Sequence, residues 1–549
     1  MIPATTLDTL RASLAQILDE AGFIDGATCG DRYCVDWKGK RGAPLAVLRP
    51  ATPLAVSATM QVLSRLRQPV VVQGGMTGLV NAGVPQPGEV VLSLERLNRI
   101  EEIEPVSGTA TVQAGVALET LHEAARRAGL FFPVDIGSRG SCQIGGILST
   151  NAGGNRVLRY GMTRQSVLGL EAVLPDGRVI SRMGKVLKDN AGYDLKHLFL
   201  GSEGTLGVIT RAVLILMPEP TSRDTALVGL KSFPALLALL AECRRRLGAR
   251  LTSFEVMWHD YFAFVTGPMA IGRDPFGSPH ALYALVETMG SDPVRDREIL
   301  EETLAGFLEA EPGCDAVLAN SLSDAASFWR VRDSSGEAVR AVAPVAGFDV
   351  SLPIDAMASW VARVHETLRG DGFSGLQTYG HVADGNLHLV VPYAPGFGDA
   401  KARIDRLVYE SIGALGGSVS AEHGIGFEKK SYLDLSRSPV EIALMRQMKA
   451  AIDSAGHSQS RPYLRCAIIS LTRGLARVHG RERVPATSHR DRWRSGSPRR
   501  SRHFSLGTRP RSTSRSASPR GSPYTETVPR PRPARGGTHG ASATGRSPA

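Results

Sequence analysis

Apolar residues recur at helical spacing near the start of the chain, at Leu7, Leu10, Leu14 and Leu18, which predicts an amphipathic helix packed by one face. From Pro44 the period changes. "PLAVLRP", "PVVVQGG", "VVLSLERL" and "TATVQAGV" are short apolar or alternating runs, whereas "VSATMQVLSRLRQ" and "LETLHEAARRAG" space their apolar residues three and four apart. In "LGLEAVLPDGRVIS" two alternating strands flank Asp176-Gly177, a hairpin turn signal. The second half begins again with strand-like "DTALVGLKSF" and "HALYALVETMG" and helix-like "ALLALLAECRRRLGA" and "DREILEETLAGFL". The fold class expected is α+β, with a helical segment over residues 1–43, a mixed module over 44–218 and a cap of antiparallel sheet and covering helices over 219–456.

With 549 residues and a hydrophobic fraction of 42%, the chain has ample material for several domains. No apolar run reaches about eighteen residues, and the opening lacks a basic stretch followed by an apolar one, so neither a membrane span nor a signal peptide is expected. The six cysteines form no C-x-x-C pair, which argues against an iron–sulfur cluster and a disulfide scaffold. That usage fits a reducing compartment, and the expected location is cytoplasmic, with peripheral attachment to a membrane left open.

The net charge of +11 belongs to one end. Residues 457–549 hold twenty arginines, no lysine and three acidic residues, leaving 44 basic and 50 acidic side chains in the rest. Arg, Ser and Pro at this density cannot bury a core, so this tail is expected to be disordered. An arginine-rich arm of this kind could bind phosphates, but nucleic acid is not the expected partner of a body that is itself acidic.

Glycine clusters carry the first chemistry. "PVVVQGGMTGLV" reads as a strand running into a phosphate-cradling turn at Gly74, Gly75, Thr77 and Gly78, without the G-x-G-x-x-G opening of a Rossmann unit. "PVDIGSRGSCQIGGILSTNAGGNRVLRYG" and "LFLGSEGTLGVIT" follow, and their glycines let a dinucleotide approach the main chain closely, with Gly145-Gly146 and Gly153-Gly154 as candidates for nearest contact. Farther on, "YGHVADGNLHLVV" sets His381 and His388 about an Asp384-Gly385 turn, and "SVSAEHGIGFEKK" supplies Glu422 and His423. Two imidazoles and a carboxylate make a ligand set for a metal such as zinc. The residues alone leave open whether each histidine instead caps a turn or is simply buried.

The order of these motifs resembles the family of FAD-linked oxidases and dehydrogenases related to vanillyl-alcohol oxidase, and "GHxxDGNxH" with "EHGxG" resembles its D-2-hydroxy acid dehydrogenase branch, over roughly residues 71–455. The resemblance implies a two-subdomain FAD-binding module of the PCMH type, roofed by a cap that supplies substrate contacts. It places FAD, bound non-covalently because the first loop has no His or Cys, against Gly74, Gly75, Thr77, Gly78, Gly137, Ser138, Ser141, Cys142, Gly145, Gly146, Asn151, Gly153, Gly154, Tyr160, Gly161, Gly204, Val208, Ile209 and Asn386. It implies Zn²⁺ or a similar divalent metal on His381, His388 and Glu422, with His423 facing the substrate. Arg332, in "FWRVRDSSGEAVR", is the candidate carboxylate clamp.

The activity implied is oxidation of a small D-2-hydroxy acid to its 2-oxo acid. Electrons then pass to an electron-transfer flavoprotein or a quinone, and a homodimer is left open. An oxygen-using oxidase is the alternative, as is an inactive product of a broken frame. Hydroxyglutarate-oxidising members carry a threonine, a lysine and an asparagine where this chain has Gly336, Gly347 and Val390. Their loss predicts a penalty on dicarboxylates and favours a monocarboxylic or aromatic acid. The family also ends its last helix with a segment like "DPxGILNPGK". Here "GHSQSRPYL" can be encoded as GGC CAT TCT CAA TCC CGG CCG TAT CTT, and removing one C after the glycine codon yields "GILNPGRI". The tail from His457 is therefore read as out of frame.

Overall fold

A four-stranded sheet begins the flavin module, in the order Phe23–Asp25, Ala46–Leu48, Val90–Ser93, Val70–Gln73. The computed structural model describes residues 5–394 and 399–453, so the tail from His457, with its expected disorder and frame shift, lies outside the described residues. Ala46–Leu48 and Val70–Gln73 both run parallel to Val90–Ser93 because the helix Pro53–Leu66 carries the chain back between them. That helix is marked at both ends. The Thr52 side chain accepts from the Ala55 N–H, Pro53 sits in the first turn, and Arg67 closes the helix at φ 50°.

Val56, Met60 and Leu63 bury against Leu10, Leu14 and Leu18 of the opening segment. The opening helix itself spans Leu7–Leu14. Phe23–Asp25 pairs antiparallel with Ala46–Leu48, so residues before Pro44 complete this sheet.

The second sheet is antiparallel, in the order Ile100–Glu104, Thr109–Gln113, Val208–Ile215, Val167–Val173, Val179–Arg182. Its last two strands form the hairpin expected at Asp176-Gly177, where Gly177 adopts φ 86°. Leu118, Leu121 and Ala125 of the helix Leu118–Arg127, with Ile144 and Ile147 of the helix Ile144–Thr150, share a core with Ala110, Val112 and Ala212 of the strands.

The cap is a seven-stranded antiparallel sheet, in the order Asp315–Leu318, Ser222–Leu230, Leu282–Gly290, Leu251–Trp258, Gln377–Gly380, Asn386–Pro392, Val345–Ser351. Side chains alternate across it. Ala226, Val256, Ala284, Phe348, Val350, Leu387 and Leu389 pack under the helices Phe233–Leu247, Pro293–Ala310, Ile354–Gly370 and Ala400–Gly413. The intervening residues Glu255, Met257, Gly347, Asp349, His388 and Val390 therefore face the other way.

Leu389 is 1% exposed on the helix-covered face. Leu389→Ala is expected to lower unfolding stability by roughly 2–5 kcal/mol, read from the urea midpoint of the FAD-loaded protein. A loss well under that range would mean the cap core is looser than described.

Candidate functional site

A cavity of about 1240 Å³ lies between the glycine loops of the flavin module and the strands of the cap. Gln73, at the end of its strand, is buried and donates through Nε2 to Tyr33 O (2.9 Å) and Gly83 O (2.7 Å), closing the loop of residues 74–83. The glycines around the cavity divide by purpose. A Cβ on Gly78, Gly137 or Gly146 would meet nothing within 4 Å, so these leave room for a ligand. A Cβ on Gly75 would stand 1.9 Å from Ser141 O, and one on Gly154, at φ 101°, would stand 2.1 Å from Asp135 O. Those glycines let two stretches of backbone touch.

The expected cofactor residues line the cavity except Ser141, Asn151, Tyr160, Gly161 and Asn386. Ser141 instead offers its carbonyl to the packing of Gly75. Asn151 ends the helix Ile144–Thr150 at φ 50° and accepts from Arg164 N–H, Tyr160 packs edge-on to Phe131, and Gly161 turns the chain at φ 75°. Asn386 is buried, with both atoms of its side-chain amide lacking a partner among the described residues. Met76, inside the first loop, sits at φ 56°, a left-handed conformation that asparagine tolerates better than methionine.

The cap contributes a buried carboxylate that sequence reasoning missed. Glu255 Oε2 accepts from Arg332 Nε at 2.8 Å, and Oε1 lies 2.6 Å from His381 Nδ1. This fixes a proton on Nδ1 and turns Nε2 toward Arg332 Nη2, 3.3 Å away, and Glu422 Oε1, 3.9 Å away. Burial opposes protonation of His381, but Glu255 and Glu422 outweigh it and raise the imidazole to about 9, so an ion binding at Nε2 must displace a proton. Arg332 is 5% exposed and stacks over Tyr379, so it is not a solvated surface arginine. Burial holds His388 and His423 below the ordinary imidazole range, so both are neutral at pH 7.

Two more buried carboxylates hold the turn that carries Glu422 and His423. Asp349, fully buried, accepts the N–H of Glu422 (3.1 Å) and of His423 (2.9 Å) and lies 3.3 Å from Lys429 Nζ. Glu203 accepts the N–H of Ile425 (2.7 Å) and of Gly426 (2.9 Å). Gly424, at φ 85°, cannot carry a Cβ, which would stand 2.5 Å from Glu203 Oε1. Glu422 Oε1 in turn accepts from Gly154 N–H at 3.1 Å, so the expected metal ligand rests on the flavin loop.

Ligand atoms of His381, His388 and Glu422 lie within 4.8 Å of one another, as do those of Asp349, His388 and His423. The second group is engaged otherwise, because the Asp349 carboxylate already accepts two backbone N–H groups and faces Lys429. The first group suits a divalent ion: its donors are two imidazoles and a carboxylate, and Glu255 orients one of the imidazoles.

Residues 219–457 match the model of FAD linked oxidases, C-terminal domain, and residues 44–182 match that of an FAD binding domain. Over 454 residues the chain is 38% identical to an Arabidopsis thaliana protein named D-2-hydroxyglutarate dehydrogenase, mitochondrial, covering 82% of this chain and 81% of the relative. A Bos taurus protein of the same name is 38% identical over 423 residues, 77% of each chain. The solved structure of p-cresol methylhydroxylase with bound substrate superposes with a TM-score of 0.67 at 16% identity, covering 83% of this chain and 96% of that one, so the fold is shared. The mitochondrial names of the plant and cattle relatives overturn the expectation of a cytoplasmic location. Cysteine usage separates oxidising from reducing compartments and does not tell one reducing compartment from another.

Glu203→Ala leaves two buried N–H groups without an acceptor. The expected loss is roughly 2–6 kcal/mol at about 1–3 for each orphaned group, measured by denaturant unfolding of the FAD-loaded protein. An unchanged midpoint would show that this carboxylate does not hold the turn.

Proposed function

The chain belongs to the FAD-linked oxidase family, and from that premise we propose that it oxidises a D-2-hydroxy acid to the 2-oxo acid, with hydride passing to FAD and electrons onward to an electron-transfer flavoprotein or a quinone. The observation that carries this reading is the convergence of Arg332, His381, His388, Glu422 and His423 on the cavity that the glycine loops also line.

Arg332 grips the substrate carboxylate. Its Nε is committed to Glu255 and its Nη2 lies 3.3 Å from His381 Nε2, which leaves the remaining N–H groups of Nη1 and Nη2 for the carboxylate. His423 stands as a neutral imidazole and accepts the hydroxyl proton. His381, His388 and Glu422 would hold a divalent metal such as zinc. When bound, the flavin supplies the hydride acceptor and the metal supplies Lewis acidity toward the hydroxyl. FAD is held non-covalently: residues 74–78 carry no His or Cys, and burial raises the thiol of Cys142, the cysteine lining the cavity, which makes it a poor nucleophile.

Anaerobic titration of the flavinated protein with paired D- and L-2-hydroxy acids is expected to bleach the flavin band with D-acids alone. Full flavin loading without bleaching by any D-acid would overturn the proposal. Separately, Glu255→Gln is expected to weaken metal binding by about 10–100-fold, measured by chelator competition. Unchanged metal affinity would remove Glu255 from that role.

A further inference from the structure

We propose that Cys29 and Cys34 form a reversible disulfide by exchange with a small disulfide such as oxidised glutathione, and that this bond ties down the segment supporting the first flavin loop. The two sulfurs lie 3.2 Å apart, and both cysteines are free thiols. Cys29 Sγ donates to Gly26 O at 3.2 Å, so Cys34 is the donor between the two. A disulfide needs about 2.0 Å, which leaves a gap of roughly 1.2 Å for side-chain rotation to close. Cys34 is buried and cannot meet a reagent first. Cys29 is partly exposed, and a Cβ on the adjoining Gly30 would meet nothing within 4 Å, so the approach to Cys29 is open.

The exchange balances on the pair itself. The Cys29 sulfur gives up its proton and attacks one sulfur of the small disulfide, breaking that S–S bond and releasing one thiolate. The Cys34 sulfur then attacks Cys29, forms the internal bond and expels the second thiolate, and both protons end on the released thiols. The protein loses two electrons and the small disulfide gains them. Burial and the adjoining Cys34 thiol hold the Cys29 thiol above its usual range, so the pair rests as thiols and exchange equilibrates over hours.

The bond acts through the residues that follow it. Tyr33 O accepts from Gln73 Nε2 at 2.9 Å, and the same Nε2 donates to Gly83 O, closing the loop of residues 74–83. Trp37 and Lys38 line the cavity. Lys38 Nζ donates to Glu428 Oε2 at 2.6 Å, and Glu428 Oε1 accepts from Asn81 Nδ2 at 3.1 Å. Residues 33–38 thus brace the flavin loop through Gln73 and Asn81, and joining Cys34 to Cys29 fixes the base of that brace. A braced loop opens less often, so FAD leaves more slowly.

The test equilibrates the FAD-loaded full-length protein overnight in glutathione buffers of graded oxidised fraction, caps the remaining thiols with an alkylating reagent and cuts with trypsin. Cleavage at Arg32 separates the cysteines onto peptides 12–32 and 33–38. Those peptides are expected to stay joined after oxidation and to part on adding dithiothreitol. The joined form should release FAD at least about threefold more slowly, followed by flavin fluorescence, and Cys29→Ser should show neither change. Peptides that never join, or a glutathione adduct resting on Cys29 without the link, would overturn the site. A joined pair whose FAD release is unchanged or faster would overturn the brace.

Discussion

The turn at residues 421–426 is held from two sides by carboxylates that have given up water to do so. Asp349 belongs to the cap and Glu203 to the flavin module, and each accepts two backbone N–H groups of the turn. A buried carboxylate is costly unless its oxygens are filled, so neither can relax without stranding a charge and two donors. The turn is thereby fixed to both halves at once, and Glu422 and His423 stand over the flavin loops at a set height. Gly153 and Gly424 are glycines for the same reason, since a Cβ on either would collide with Glu422 or Glu203.

The period of the cap sheet supplies the rest. Asp349 pairs with His388, and His388 with Tyr379, in adjacent strands, while Glu255 lies one residue from Val256, the partner of Gly380. Alternation sends the aliphatic neighbours of these residues under the helices and sends the polar ones to the cavity. A slip of one residue in any of these strands would exchange the two sets, burying the imidazoles among leucines. The apolar core on one face and the chemistry on the other are thus one constraint. Glu255 then joins Arg332 and His381, so the candidate substrate clamp and a candidate metal ligand share one orienting carboxylate.

Features with local causes were legible in the sequence. The Asp176-Gly177 hairpin, the strand running into Gly74-Gly75 and the alternation of cap strands follow from turn chemistry and period. The histidines and Glu422 were legible through their motifs, and the structure brings them together. The anchors were not, because their meaning depends on contacts across long separations: Glu255 meets His381 126 residues later, and Glu203 meets Ile425 222 residues later. A signal existed for Glu255, a charge in the middle of the apolar strand Leu251–Trp258. Glu203 lies within "GSEGTLG", where the glycines carry the local signal and the carboxylate carries none.

The clamped turn brings Glu422 beside His381 and His388, the group proposed above to hold a metal. Anomalous diffraction from crystals of the FAD-loaded protein grown with zinc tests it most directly. A single strong peak is expected about 2.0–2.2 Å from a nitrogen of His381, a nitrogen of His388 and an oxygen of Glu422. A fully flavinated crystal with no peak there, or with the ion on Asp349 and His423 instead, would contradict it.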